Sequence, residues 1–493
     1  MIQDLLTLVP LVITIYLAVK TKDVIIAIYT GIASGILILT GGHIFKAIYS
    51  FFGDYLIIQI TDSYNAGVIV LLAFIGGFIA LIEYAEGANA FAEKITRFLN
   101  TKVKTQLAAF FFGALIFFSD LGTPLIVGPV FSPLFDKMKI CRAKLAYIID
   151  STASPMAIMI PFTGWGVYIL SLIDAQVANG VYDGNSVEIF MSALGYQFYS
   201  ILTLVIVPIV IIGKLDILSM NKSQLVDEQK SVAKATHSDG QAKSIIIPLL
   251  VLFTVLIGGL IAVDFPRTQL VGSTFRIILA SAYFLASVSL ILVVWLSKKD
   301  TLQNLYKTFI GGITKSSYLV IILLGAWSLS SVIDNLGTAD VITGVLDAHV
   351  PQFLYPTLIF FAGAVLSAST GSSWGTFAIL TPFAFGMTEI SNIDPSLLMG
   401  AVLSGGLFGD HLSPISDTTI LSSTGANVNL IEHVKTQLPY GVINAISSII
   451  CFIGAAIYSS YLWLLVGLTI SVVSIVVIKK YETSNQKMEA LHE

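Results

Sequence analysis

Apolar stretches follow one another along nearly the whole chain, with only short polar segments between them. Each stretch has roughly 17–25 residues, which is enough for one helix to cross the hydrocarbon core of a bilayer. Only 11% of the 493 residues are charged, whereas soluble domains carry about 25% charged residues. The sequence therefore predicts an all-α polytopic membrane protein.

The apolar pattern predicts about 11 transmembrane helices plus two re-entrant hairpins. The predicted crossings lie near residues 4–20, 24–40, 65–83, 144–172, 195–213, 244–263, 277–296, 316–334, 396–427, 438–458 and 461–478. The hairpins are the segments 106–135 and 353–388, which Ser, Gly, Thr and Pro interrupt midway. Irregular backbone at membrane depth is tolerated only where protein or a water-filled cavity satisfies it. We therefore expect both hairpins to line a cavity.

The distribution of positive charge predicts the orientation of the chain. If each hairpin returns to its own side, 23 of the 26 Lys and Arg fall on one face of the membrane. Lys315 is one of these 23 residues. The exceptions are Lys46, Arg267 and Arg276. By the positive-inside rule the crowded face is cytoplasmic. We predict a multi-pass protein of the cell (inner) membrane, with its N-terminus outside and its C-terminus in the cytoplasm.

The chain divides into two comparable halves. The polar stretch 214–243 carries five Lys and no long apolar run, which predicts a cytoplasmic linker between a first repeat half, 1–213, and a second repeat half, 244–493. Residues 82–87 resemble residues 333–337, and a hairpin follows each of them. In the predicted topology the two hairpins enter from opposite sides, which makes an inverted repeat of the kind found in many transporters.

Two short polar runs, Asp150–Pro155 and Ser416–Thr419, interrupt apolar chain at comparable places in the two halves. A carboxylate near the bilayer centre costs roughly 2.5–3.5 kcal/mol on insertion scales. Two such carboxylates beside hydroxyls and helix-breaking residues indicate a paired ion or substrate site in a transporter. The alternative for Asp150 is a helix cap or an ion pair with Lys144 or Arg142.

The hairpin tips share this chemistry, because glycine lets the backbone reverse and hydroxyls offer oxygen ligands to a hard cation such as Na⁺. The alternative is that the hydroxyls of each tip only form hydrogen bonds with the backbone of that tip and bind no ion. Together the runs and the tips give the predicted ion- or substrate-binding residues. These are Asp150, Ser151, Thr152, Ser154, Ser416, Asp417, Thr418 and Thr419 in the runs, and Ser119, Asp120, Thr123, Ser372, Ser373 and Thr376 in the tips.

The densest polar cluster spans residues 409–423 and adds Asp410 and His411 to the candidates. A proton and a cation can compete for one carboxylate, which is the simplest physical basis of antiport. We therefore expect Asp417, Asp150, Asp410 and His411 to couple transport to protons, with helix packing or capping as the alternative for His411. Pro414 breaks the helix between the two carboxylates of this cluster, and Pro155 and Pro161 interrupt the predicted span 144–172 in the same way.

Other acidic residues receive simpler interpretations. Glu83 and Asp334 close their predicted spans and are expected at the membrane interface. Asp174 is expected to be solvated in an outside loop. No Arg lies at membrane depth as a clamp for an anion, so Arg267 and Arg276 would have to reach an organic anion in the site.

Three stretches of the chain resemble the NhaC-type sodium/proton antiporter family, within the wider ion-transporter superfamily: residues 142–153, 409–426 and 433–440. The resemblance implies cation/proton exchange with Asp150 and Asp417 as functional positions. It also implies a scaffold domain and a mobile transport domain that holds the hairpins. The first tip, Phe118–Gly122, departs from the double-acid tip of similar proteins. Members of this kind also exchange organic anions, such as malate for lactate, or carry amino acids.

We therefore predict a secondary active transporter, a Na⁺/H⁺ antiporter that exchanges cytoplasmic Na⁺ for external H⁺ by alternating access. The alternative is a Na⁺- or H⁺-coupled transporter of small organic anions or amino acids. The chain has no G-x-x-x-x-G-K-[ST] or H-E-x-x-H pattern, and its one G-x-S-x-G match, residues 371–375, lies in the tip of a predicted hairpin. We therefore predict neither an enzyme nor a cofactor, and no metal beyond the transported Na⁺. The expected partners are membrane lipid and the transported solutes, without nucleic acid, and a homodimer is the candidate assembly.

Overall fold

The computed structural model describes residues 6–21, 23–87, 99–178, 184–227, 241–265, 272–337, 341, 350–388, 391 and 393–492, and within them the chain is helical without strands. The helices of the first half are α1 (Val9–Thr21), α2 (Val24–Leu39), α3 (Ile44–Ser50), a π-helical stretch (Phe51–Ile57), α4 (Ile58–Thr61), α5 (Ser63–Tyr84), α6 (Lys102–Leu115), α7 (Gly122–Lys137), α8 (Arg142–Thr152), α9 (Ser154–Ala157), α10 (Gly164–Ala178), α11 (Ser186–Gly195), α12 (Phe198–Gly213) and α13 (Leu218–Asp227).

The second half repeats the order of a long helix, an interrupted helix pair and a broken span. Its helices are α14 (Lys243–Ala262), α15 (Gly272–Leu296), α16 (Leu302–Asn335), a 3₁₀ turn (Gln352–Leu354), α17 (Tyr355–Thr370), α18 (Ser373–Thr388), α19 (Pro395–Leu412), α20 (Asp417–Gly425), α21 (Leu430–Ile457) and α22 (Trp463–His492). The inverted relation between the halves stays a prediction.

Seven described helices are long and apolar enough to cross a membrane, or eight if α11 and α12, which are bent by 41° at their junction, form one span. The predicted all-helical, multi-pass class is therefore confirmed. The count of eleven crossings and the orientation of the termini stay predictions.

Both predicted hairpins are pairs of short helices joined at a polar tip. Helices α6 and α7 have 14 and 16 residues, and α17 and α18 have 16 each, whereas a straight crossing needs about 20. The helices of each pair pack against each other. The second pair reverses at Gly371, which adopts a left-handed φ of 66° that a residue with a side chain rarely takes.

Two predicted spans are broken where the sequence places proline. Helix α9 ends at Ala157 and α10 begins at Gly164, with Pro161 between them. Helix α19 ends at Leu412 and α20 begins at Asp417, with Pro414 in the gap. Proline lacks the backbone N–H that would continue the helical hydrogen bonds. The discontinuities that the sequence predicts are therefore present.

The helices form two packed groups. In one group α5 packs against α15 and α16, α16 also packs against α2, and α1 and α14 complete it. In the other group the hairpins pack against α8, α19 and α20, with α21 beside them. Helices α5 and α16 cross closely, because a Cβ atom on Gly312 would lie 2.2 Å from the carbonyl oxygen of Gly76. That these groups are the predicted scaffold and transport domains stays a prediction.

The structure corrects the prediction for Asp174. Helix α10 continues to Ala178, beyond the predicted end of the span at residue 172. Asp174 is therefore on the buried face of a helix, 6% exposed, and its Oδ2 lies 3.1 Å from Nη1 of Arg276. The predicted linker also contains structure, since α13 lies within it and packs against α21. Residues 228–240 of the linker lie outside the described residues.

Candidate functional site

A cavity of about 490 Å³ lies where both hairpin tips meet the second broken span. One wall comes from α5 and α16 of the first helix group, and the facing wall comes from the tips and from the start of α20. Eight of the sequence-predicted site residues line it. They are Ser119, Asp120, Ser372, Ser373, Asp410, Ser416, Asp417 and Thr418. Volumes of this order are typical of small-molecule sites.

The first tip is held by hydrogen bonds between its own atoms and neighbouring helices. Ser119 Oγ accepts the backbone N–H of Gly122 at 2.9 Å and donates to Glu83 Oε1 of α5 at 3.1 Å. Asp120 Oδ2 accepts from Nε1 of Trp165 at 3.0 Å. The tip thus contacts both α5 and α10, which fixes the Asp120 carboxylate at the cavity wall.

Two tryptophans stack where the second tip meets α10. The ring centroids of Trp165 and Trp374 are 3.9 Å apart, with an interplanar angle of 30°. Tyr168 donates from its hydroxyl to the backbone carbonyl of Trp374 at 2.6 Å. Both indoles line the cavity. The stack therefore joins the first broken span to the second hairpin across the two halves of the chain.

The break between α19 and α20 places two carboxylates at the cavity. Asp410 is 5% exposed, and Thr418 donates to its Oδ2 at 3.4 Å. Asp417 begins α20 and is exposed. Ser413 in the break donates to the carbonyl of Ala368 at 2.9 Å, which ties the broken span to the second hairpin.

Two charged residues line the cavity although the sequence did not place them there. Glu83, expected at the membrane interface, faces the first tip from α5, and Lys315, expected on the cytoplasmic face, extends from α16. The sequence did contain a signal that Glu83 lies near the site, because Glu83 is in the repeat segment 82–87 that comes just before the first hairpin.

Five other predicted residues are buried away from the cavity lining. Thr123 donates to the carbonyl of Ser119 at 2.9 Å, and Thr376 to that of Ser372 at 2.9 Å, so both hydroxyls satisfy their own hairpin. Thr152 donates to the carbonyl of Ile148 at 2.8 Å. The hydroxyls of the remaining two have no hydrogen-bond partner among the described residues, and these are Ser151 and Ser154.

Asp150 lies in a separate, fully buried polar centre. It is 1% exposed and is not among the lining residues of the cavity. Its Oδ1 accepts from Ser422 at 3.2 Å, and its Oδ2 from Thr419 at 3.4 Å. The ion-pair alternative is wrong, because Lys144 pairs with Asp216 and Arg142 with Asp136.

Helix α21 supplies the strongest contacts to this carboxylate. Gln437 Nε2 donates to Asp150 Oδ2 at 2.7 Å, and Nε2 of His433 lies 3.3 Å from the same oxygen. His411 Nε2 lies 3.7 Å from this oxygen as well, and its Nδ1 lies 3.1 Å from the Tyr199 hydroxyl. A buried charge is costly unless such partners surround it.

His433 and Gln437 were missed as site residues. They are four residues apart, which puts both on one face of a helix, and both fall in the stretch 433–440 that carries the family resemblance. That spacing of two polar side chains in an apolar span was the available signal.

The two polar sites touch consecutive residues of one helix. Thr418 contacts Asp410 at the cavity, and Thr419 contacts Asp150 in the buried centre. Neighbouring residues in the first turn of α20 therefore hydrogen-bond the two carboxylates. Among the described residues no group of three or more His, Cys, Asp or Glu side chains has the geometry of a metal site.

Comparison with known proteins assigns this chain to a family. Residues 156–457 match the sequence profile of the Na⁺/H⁺ antiporter family. The chain belongs to this family. The matched range contains the second hairpin and Asp410, Asp417 and His433. Together with the apolar helices, family membership makes this chain a multi-pass membrane protein of a secondary-transporter family.

Three relatives are similar to this chain, and two of them are named as antiporters. A Haemophilus influenzae protein is 31% identical over 96% of this chain and 94% of its own length. The malate-2H⁺/Na⁺-lactate antiporter of Bacillus subtilis is 31% identical over 41% of this chain and 43% of its own. The Na⁺/H⁺ antiporter NhaC of Alkalihalophilus pseudofirmus is 30% identical over 27% and 28%, respectively.

The fold also has a solved counterpart. The YdaH transporter of Alcanivorax borkumensis superposes with a TM-score of 0.61 at 15% identity, over 83% of this chain and 88% of that chain. At this identity the likeness concerns the fold alone.

Proposed function

We propose that this protein is a secondary antiporter that exchanges cytoplasmic Na⁺ for external H⁺ by alternating access. The observation that carries the proposal is the cavity at which both hairpin tips meet Asp410 and Asp417. Membership of the Na⁺/H⁺ antiporter family supports it.

The cavity offers the ligands that a small hard cation requires. Sodium prefers oxygen ligands, and carboxylates supply them together with negative charge. Asp417 is exposed to the cavity, and the hydroxyls of Ser372 and Thr418 line it as well. Protonation of a carboxylate removes its charge and with it the attraction for Na⁺. Proton and sodium therefore exclude each other, which makes exchange obligatory when the site alternates between the two sides.

Asp150 is the second carboxylate of the proposed mechanism. It is linked to the cavity through Thr418 and Thr419, so the charge at the cavity can influence the buried centre. Its partners His411 and His433 are the groups in the described centre that can exchange a proton with it.

Inverted membrane vesicles from a host strain without its own Na⁺/H⁺ antiporters test this proposal. A respiration-driven ΔpH should be dissipated on addition of Na⁺, and vesicles without the protein should keep it. A ΔpH that Na⁺ leaves intact, with wild-type protein shown to be inserted, would falsify Na⁺/H⁺ exchange.

The volume of the cavity favours a second candidate function, the coupled exchange of a small organic solute. A volume of about 490 Å³ has room for more than a single cation, and one relative is named as a malate/lactate antiporter. Proteoliposomes loaded with labelled di- and hydroxycarboxylates and amino acids, under defined Na⁺ and H⁺ gradients, distinguish this candidate from Na⁺/H⁺ exchange alone.

A further inference from the structure

Acidic side chains outnumber basic ones in the cavity lining. Among the described lining residues, the carboxylates of Glu83, Asp120, Asp410 and Asp417 stand against one cation, Lys315. In a confined site of low dielectric constant, unlike charges attract and like charges repel far more strongly than in water. An organic anion would meet one basic side chain here, whereas an organic cation would meet several acidic ones.

A rigid aromatic surface lies beside these carboxylates. Trp374 is half-buried at the cavity and stacks on Trp165, whose indole N–H is held by Asp120. The Tyr168 hydroxyl fixes the backbone of Trp374. The face of an indole ring attracts ammonium and guanidinium groups more strongly than any other side-chain ring does. A fixed tryptophan pair beside carboxylates is therefore suited to an organic cation.

Resting on the proposed role of this cavity as the transport site, we propose that it binds a small organic solute with a protonated amine. The ammonium group lies between the face of Trp374 and the carboxylates of Asp410 and Asp417. Where the solute also has a carboxylate, that group faces Lys315 on the opposite wall. The assignment excludes simple dicarboxylates as preferred substrates.

Three probes with the same five-carbon chain separate the possibilities: cadaverine with two amines, 5-aminovalerate with one amine and one carboxylate, and glutarate with two carboxylates. Binding is measured by calorimetry on the purified full-length protein in nanodiscs, at fixed Na⁺ concentration and without any gradient. Cadaverine and 5-aminovalerate should bind, and glutarate should not. Stronger binding of glutarate than of either amine overturns the inference, as does failure of both amines to bind at millimolar concentrations.

Variants locate the bound amine. Trp374→Leu should weaken the binding of both amines by about fivefold, whereas Trp374→Phe, which keeps an aromatic ring, should retain most of it. Trp295→Leu is the matched control, because Trp295 is exposed and is not part of the cavity lining. Equal binding by Trp374→Leu and wild type, both correctly folded by size-exclusion chromatography, overturns the proposed position of the ammonium group.

Lys315→Met tests the opposite wall. The change should weaken the binding of 5-aminovalerate but not that of cadaverine, which has no carboxylate. Equal weakening of both contradicts the assigned role of Lys315.

These binding results are independent of the vesicle assay. Amine binding without Na⁺-dependent ΔpH dissipation leaves the inference standing and removes Na⁺/H⁺ exchange. Na⁺-dependent ΔpH dissipation without amine binding supports Na⁺/H⁺ exchange and overturns the inference.

Discussion

At the scale of single residues, the two carboxylates that the sequence paired have different surroundings. Asp150 is enclosed by donors from three helices, with Gln437 at 2.7 Å and Ser422 at 3.2 Å. Asp417 is exposed at the cavity. The sequence identified both side chains because a carboxylate in apolar chain is rare. It could not show that they lie in separate sites, because that depends on which helix packs beside each one.

Asp417→Asn should abolish Na⁺-dependent ΔpH dissipation, because the cavity loses a charge while the size of the side chain is kept. Since Asp417 is exposed, the free energy of unfolding should change by less than about 0.5 kcal/mol. Thermal unfolding of purified protein and the vesicle assay check the two parts. Asp54→Asn is the control, as Asp54 is exposed and does not line the cavity. Wild-type turnover by Asp417→Asn would remove this residue from the mechanism.

Gln437→Leu should destabilise the buried centre by about 1–3 kcal/mol, since both Asp150 and the carbonyl of His411 lose a hydrogen-bond donor. Gln437→Glu should be more damaging, because it places a second carboxylate against Asp150. The double variant Asp150→Asn/Gln437→Glu exchanges the amide and the carboxylate and should recover part of the stability, although the carboxylate introduced by Gln437→Glu still cannot donate to the carbonyl of His411. Thermal unfolding measures all three, and a double variant no more stable than Gln437→Glu argues against direct pairing.

At the scale of elements, the interruptions are encoded locally. Glycine and hydroxyl residues mark both hairpin tips, and Pro161 and Pro414 mark the two broken spans, as the structure shows. These signals act within a few residues of backbone, so sequence reasoning finds them. The end of α10 was misjudged because a buried ion pair between Asp174 and Arg276 supports a further turn of helix. The partner of Asp174 is about a hundred residues away in the chain.

Gly371→Ala should disrupt the second tip and reduce exchange strongly. A left-handed residue with a side chain costs about 1–2 kcal/mol, and here the added Cβ would also lie 2.6 Å from the carbonyl oxygen of Ile415. Gly41→Ala is a matched control with a similar φ of 64° but no atom within 4 Å of the added Cβ. Vesicle exchange normalised to inserted protein measures both. Equal effects of the two changes would show that packing against the second broken span is unimportant.

At the scale of the whole molecule, the cavity lies between two helix groups, and it is this boundary that alternating access requires to move. Glu83 and Lys315 belong to one group, and the tips and Asp417 to the other. In the proposed alternating-access mechanism, substrate binding across this boundary couples the occupancy of the cavity to the relative position of the groups. The crossing of α5 and α16 at Gly76 and Gly312 keeps the first group compact.

The predicted orientation is testable in whole cells. A cysteine at Lys46→Cys should react with a membrane-impermeant maleimide added outside, and a cysteine at Lys222→Cys only after permeabilisation. The native cysteines, Cys141 and Cys451, are buried and should give little background. Labelling of Lys222→Cys in intact cells would contradict the orientation derived from the positive-inside rule.

The sequence by itself determined the membrane class, the positions of both hairpins and both breaks, and most polar residues of the cavity. These features depend on local chemistry, namely helix length, proline and glycine, and the cost of polar groups in lipid. Only the tertiary structure separated Asp150 from the cavity, joined it to His433 and Gln437, and brought Glu83 and Lys315 to the facing wall. Lipid tails are as apolar as the protein interior, so hydrophobic periodicity does not reveal which face of a membrane helix turns inward.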